Sequence, residues 1–186
     1  MAPSADADIL KLLRAGDRDR AFEALVETHG KAVYNIALFT LNDEVLAEDA
    51  TQDAFIKMYR GLERFEGRAS LSTWIYRIVK NVCYDTFKRR RTQPLDPAAQ
   101  ASLADGAMPT PEEQNQSAWR HNQVRAAVAR LPEKQRLAVT LYYFQDKSYE
   151  EVAAIMEQPL NTIKSHLHRA KAALTRPLGQ FEGSLT

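Results

Sequence analysis

The chain has 186 residues, and 25 Lys and Arg against 24 Asp and Glu leave a formal net charge of +1. One cysteine, Cys83, excludes an internal disulfide framework or a multi-cysteine zinc site, and 45% apolar residues exclude wholesale disorder. No uncharged apolar run approaches the roughly 18 residues of a bilayer span, and the N-terminus carries Asp6 and Asp8 where an export signal has bases, so a cytoplasmic protein without direct membrane insertion is expected.

The near-neutral total is a cancellation between blocks. Residues 1–76 hold 9 bases and 13 acids, 77–91 hold 6 and 1, 92–117 hold none and 4, and 118–186 hold 10 and 6. Seven glycines and the absence of alternating apolar and polar residues argue against β structure, whereas period-3.6 patterns recur throughout. The expected fold is all-α, with two small helical domains, 1–91 and 118–186, joined by a linker over 92–117.

The first strong pattern is DEVLAEDATQDAFIKMYRGLERF, where Leu46, Ala50, Ala54 and Met58 form one apolar stripe. Asp43, Glu44, Glu48, Asp49 and Asp53 lie largely off it. Five carboxylates on one helix repel one another, and a basic partner surface would relieve them; a plain solvated face is the alternative. A catalytic or di-metal carboxylate pair fits poorly, because no helix carries a Glu-x-x-His repeat.

A second long helix is expected after Ser70 and Ser72, over TWIYRIVKNVCYDTFKRRR. Ile75, Ile78, Val79, Val82 and Thr86 gather on one side at 100° per residue, and Arg77, Lys80, Asn81, Tyr84, Lys88 and Arg91 on the other. Cations interleaved with a tyrosine and an amide suit a single nucleic-acid strand, since cations follow the backbone and aromatic rings stack on bases. Trp74, near the edge of that face, either joins the stack or belongs to the core. Cys83 reads as a packing residue, because no histidine is placed to activate it.

Residues 92–117 hold four of the eight prolines and no base, the composition of an extended, mobile linker. Beyond it, LPEKQRLAVTLYYFQDKSYEEVAAIMEQPLNTIKSHLHRAKAALTR divides into three helices. The first spans about Pro132 to Phe144. Ser148 and Glu151 form a capping box that opens a short helix over YEEVAAIM, ended by Pro159. The last starts near Asn161 and Thr162, suited to N-capping, and runs to about Thr175 with Ile163, Leu167, Ala170 and Leu174 inward. Short helix, turn and longer helix make a helix-turn-helix. Its last helix carries Lys164, Ser165, His166, His168, Arg169 and Lys171, and no acid occurs between Gln158 and Phe181. That face suits a DNA major groove; a solvated cationic surface is the alternative. His166 and His168 are two apart, on different faces, so no metal pair is expected.

Four stretches in this order, AEDATQDAFIKMYR, FEGRASLSTWIYRIVKNVCYDTFKRRR, LPEKQRLAVTLYYFQDKSYEEVAAIM and NTIKSHLHRAKAAL, flank the acidic linker. Together they resemble the extracytoplasmic-function (ECF) sigma factors, small members of the main bacterial sigma family, and the sigma-E-like group in particular. The resemblance implies an alternative sigma factor that binds core RNA polymerase, directs it to specific promoters and promotes DNA melting, in a stress or extracytoplasmic response, under an anti-sigma factor that holds it at the membrane. It implies that 1–91 is sigma region 2 and 118–186 region 4. Glu48, Asp49, Gln52 and Asp53 would dock on the β′ clamp helices. Trp74, Arg77, Lys80, Asn81, Tyr84, Lys88 and Arg91 would contact the minus-ten element, with Asn81 helping to capture a base flipped from the non-template strand. Thr162, Lys164, Ser165, His166, His168, Arg169 and Lys171 would contact the minus-thirty-five duplex while the domain rests on the β flap. The acidic linker would occupy the template and RNA-exit path. No cofactor, metal or catalytic residue is implied, since catalysis belongs to the polymerase. Histidines at 166 and 168, where relatives often show arginine or a large apolar residue, leave promoter preference open. The rival reading is a sigma mimic that sequesters an anti-sigma factor without binding DNA.

Overall fold

The computed structural model describes residues 5–92 and 116–178. Eight helices are present among them, and no strand. In the N-terminal domain α1 covers Ala5–Arg14, α2 Arg18–Leu41, α3 Glu44–Gly61 and α4 Leu71–Thr92, with one 3-10 turn at Leu62–Arg64. In the C-terminal domain α5 covers Gln116–Ala129, α6 Glu133–Val139 continuing as a π turn over Thr140–Phe144, α7 Tyr149–Met156 and α8 Leu160–Leu178. The all-α expectation holds. Helices α1, α2 and α5 are additions to it, and the linker lies outside the described residues between 93 and 115.

Local chemistry starts these helices. The Asp17 and Asp43 carboxylates accept from the backbone N–H of Arg20 and Leu46, capping α2 and α3. Ser70 Oγ accepts from the Thr73 N–H at the start of α4. The expected capping box of α7 is complete: Ser148 Oγ accepts from the Glu151 N–H, and the Glu151 carboxylate accepts from the Ser148 N–H. Such side-chain oxygens satisfy backbone donors that the helix itself leaves open.

The turn of the helix-turn-helix differs from the expectation. Helix α7 stops at Met156 because Glu157 adopts the left-handed conformation, φ 54°, two residues before Pro159. The Pro159 carbonyl then accepts from the N–H groups of Thr162 and Ile163, so Asn161 and Thr162 lie inside α8. The predicted inner face is correct: Ile163, Leu167, Ala170 and Leu174 are buried. So are Ala50, Ala54 and Met58 of α3, while Leu46 packs at the edge.

The domains do not stand apart. Their buried residues form one continuous apolar cluster, from Ile9, Leu25 and Ile75 to Leu137, Ile155 and Ile163. Phe39 of α2 stacks on Phe144 at a centroid distance of 4.5 Å. The Arg136 guanidinium donates to the Thr40 carbonyl at 2.8 Å and the Leu131 carbonyl at 3.1 Å, serving the end of α2 and the entry to α6 together.

Candidate polymerase and nucleic-acid interfaces

Three surfaces carry the residues singled out in the sequence. On α3, Glu48, Asp49 and Gln52 are exposed and Asp53 is half-buried. They share their face with two large apolar side chains, Val45 (68% exposed) and Ile56 (48%). Val45, Asp49, Gln52 and Ile56 follow a 4-3-4 spacing that puts them on one ridge. Part of the carboxylate repulsion is relieved inside the chain. Arg90 of α4 donates to Asp43 Oδ2 at 2.8 Å, and Arg89 lies 3.6 Å from Asp53. The basic tail of α4 thus serves the acidic helix, a contact the sequence reading did not foresee.

The second surface is the polar face of α4. Asn81 and Lys88 are exposed, and the Arg91 side chain lies outside the described residues. Trp74 is half-buried, its ring 5.4 Å from that of Phe65 and against Gly61, where the nearest ring carbon would lie 3.2 Å from an added Cβ. Trp74 therefore braces the FEGRAS loop against the end of α3. The remaining three residues meet the C-terminal domain. Arg77 Nε donates to the Ala154 carbonyl at 2.8 Å, and Lys80, 4% exposed, is paired with the Glu157 carboxylate. Tyr84 is half-buried with a hydroxyl that has no hydrogen-bond partner; burial and the nearby Glu133 push its pKa up to about 12. A helix face expected to be open is thus partly covered, because α7 packs across it. Lys147, just before α7, extends the same seam: its ammonium donates to Ser72 Oγ at 3.2 Å and lies 5.6 Å from the centre of the Tyr76 ring.

The third surface is α8. Lys164, Ser165, His168, Arg169 and Lys171 are exposed on a ridge facing away from the core, and Thr162 is half-buried. Ser165 Oγ donates to the Asn161 carbonyl at 2.9 Å. His166 departs from the row. It is half-buried, with Nε2 3.2 Å from Gln158 Oε1, and burial followed by the charges of Lys134 and Arg169 holds its pKa below the usual value. At neutral pH it is an uncharged residue seated against the turn.

Cys83 is fully buried, and burial pushes its thiol up to about 12, which leaves it inert at neutral pH. Among the described residues no group of three or more His, Cys, Asp or Glu side chains is arranged to hold a metal, and no helix is long and apolar enough to cross a membrane. The residues missed by sequence reasoning are Arg136, Lys147 and Glu157. Their signal is positional, because each makes a contact with the other domain that no local pattern announces.

An acidic, apolar-tipped helix, a basic aromatic helix and a helix-turn-helix with a cationic last helix thus lie on two helical modules. Residues 25–93 match sigma-70 region 2, and residues 121–174 match sigma-70 region 4. The chain is 32% identical to the RNA polymerase sigma-H factor of Pseudomonas aeruginosa, over 93% of each chain. It is 34% identical to the ECF RNA polymerase sigma factor SigM of Mycobacterium tuberculosis, covering 94% of this chain and 85% of that one. It is 32% identical to the ECF RNA polymerase sigma-E factor of Escherichia coli, over 91% and 92%. The chain belongs to the ECF sigma factors of the sigma-70 family. In fold it is similar to CnrH, solved with the cytosolic domain of CnrY (TM-score 0.68, 24% identity, 95% of this chain and 99% of that one). It is also similar to the sigma factor RpoE of Bartonella quintana, solved with the anti-sigma factor NepR (TM-score 0.66, 24% identity, 85% and 96%).

Proposed function

We propose that this chain binds core RNA polymerase, directs it to a restricted set of promoters and promotes melting of the minus-ten region, while the polymerase performs the chemistry. Residues 1–91 act as the core-binding and melting domain, 118–186 as the minus-thirty-five domain, and 92–117 as an acidic tether in the nucleic-acid channel. The observation that carries this reading is the presence, in one chain, of an outward acid-and-apolar ridge on α3 and an exposed, acid-free cationic ridge on α8. Apolar side chains ringed by carboxylates suit a basic partner helix pair such as the β′ clamp, where apolar contact supplies affinity and charge supplies orientation. Lys and Arg on an outward helix suit guanine edges and phosphates.

Asn81 is exposed on the polar face of α4, as a base-capturing amide requires, and Trp74 holds the FEGRAS loop at the start of the same helix. Extruding a base needs unstacking energy, which contacts to the captured base must recover. The likeness in fold to RpoE, solved with the anti-sigma factor NepR, favours an anti-sigma factor as partner; a cytoplasmic site of action, held at the membrane by that partner, is part of the same proposal. A decoy that only sequesters such a regulator has no use for the exposed Lys164, His168, Arg169 and Lys171.

The test is permanganate footprinting of open complexes with purified core polymerase. The wild-type chain is expected to make minus-ten thymines reactive. Asn81→Ala should bind core normally and lose most of that reactivity, and equal reactivity from both would remove the base-capture role.

A further inference from the structure

Three α4 residues assigned above to the melted strand are covered by the chain's own C-terminal domain. Arg77 is tied to the Ala154 carbonyl, Lys80 is buried against Glu157, and the Tyr84 hydroxyl is enclosed. The α8 ridge is left open. The cover is therefore selective for the single-strand face.

We infer that Glu157, at the turn of the helix-turn-helix, is an intramolecular stand-in for a backbone phosphate: seated on Lys80, it holds the C-terminal domain over the strand-binding face of α4, so that the free chain masks that face until its domains part. The inference rests on the reading of α4 as the strand-contacting helix.

Four observations support it. A buried ammonium is tolerated only when paired, so the closed arrangement depends on the Glu157 carboxylate. That carboxylate is held below its usual pKa, first by the hydrogen bond from Lys80 and then by its charge, as an oxyanion bound to a cation should be. Glu157 also occupies a left-handed position, φ 54°, where glycine is the unstrained choice; a glycine here would make a better turn and no contact with Lys80. Finally, the enclosed Tyr84 hydroxyl is a group that regains water on opening, so the closed form carries its own bias toward release.

The test uses the full chain without polymerase. Dyes placed through Lys31→Cys and Ala172→Cys, both exposed, report the interdomain distance; the buried Cys83 stays unlabelled. Affinity for a fluorescent single strand of about 12 nucleotides and mixed sequence reports the face. Glu157→Lys, alone and with Phe144→Ala to remove the stack on Phe39, should lengthen the distance. If the closed form holds nine-tenths of the population, opening it tightens strand binding about tenfold. Glu157→Gly, which relaxes the turn and so keeps the fold, should act in the same direction. A distance unchanged in all three variants would overturn the latch. Opening without a gain in strand affinity would overturn the masking. Failure of the α4 reading itself shows elsewhere, as full permanganate reactivity of the Asn81→Ala holoenzyme.

Discussion

His166 shows how one residue in a cationic row can have a separate role. Its neighbours on α8 face solvent, whereas it is tucked against Gln158 with Lys134 and Arg169 nearby. Burial and these charges disfavour the imidazolium in the folded chain, so the unfolded chain takes up the proton first as pH falls. Stability should therefore decline from the ordinary histidine pKa of about 6.5 downward, levelling once the folded form is also protonated. Urea denaturation of the wild type at about pH 7.5 and 5.5 should show this loss, reduced in His166→Gln. An equal decline in both proteins would place His166 in solvent. Ser148 is a second single-residue case. Its hydroxyl closes the capping box, and Ser148→Ala should cost about 1 kcal/mol by the same denaturation measurement. This residue was legible from sequence because a capping box is a local device, complete within four positions. Glu157 was not: nothing about a glutamate announces a left-handed turn, and Pro159 two residues later is the more conspicuous stop signal.

At the scale of the element, α3 and α4 were readable as helices because the apolar residues repeat at the right spacing, and their inner faces are those expected. Their outer faces were only half readable. The carboxylates of α3 call for a basic partner, and Arg89 and Arg90 supply part of one from within the chain. These pairs join partly exposed groups and contribute little to stability, so Asp53→Asn should leave the fold intact. Ile56 is different, being half exposed on the proposed docking ridge. Ile56→Asp should weaken binding to core polymerase at least tenfold while the circular dichroism spectrum stays the same, and unchanged affinity would move the docking surface off α3. Helix α8 yields a third expectation. Arg169→Ala should reduce the salt dependence of promoter binding by about one unit of slope if its contact is to phosphate, and an unchanged slope and affinity would place Arg169 off the DNA.

For the whole molecule, sequence pattern reached its limit at the arrangement of the domains. Each domain's own core was legible from period-3.6 stripes. The joint between them was not, because Phe39 on Phe144, Arg136 on the Thr40 carbonyl and Lys80 on Glu157 link residues far apart in sequence with no common periodicity. The division of charge into alternating blocks takes on meaning at this scale. Some of the opposite charges meet across the domains, as Arg125 does with Glu44 at 3.2 Å and Lys80 with Glu157, instead of facing external partners. A chain of net charge +1 that covers part of its basic face is poorly steered toward DNA when alone, so polymerase binding and domain separation are expected to accompany promoter recognition.

Selection of promoters by this chain is tested by transcription of fragmented genomic DNA from the source organism with core polymerase, with and without the chain, followed by mapping of RNA 5′ ends. Promoter selection predicts new start sites that share two sequence blocks at fixed spacing and that disappear with Asn81→Ala. Identical start sites with and without the chain would contradict it.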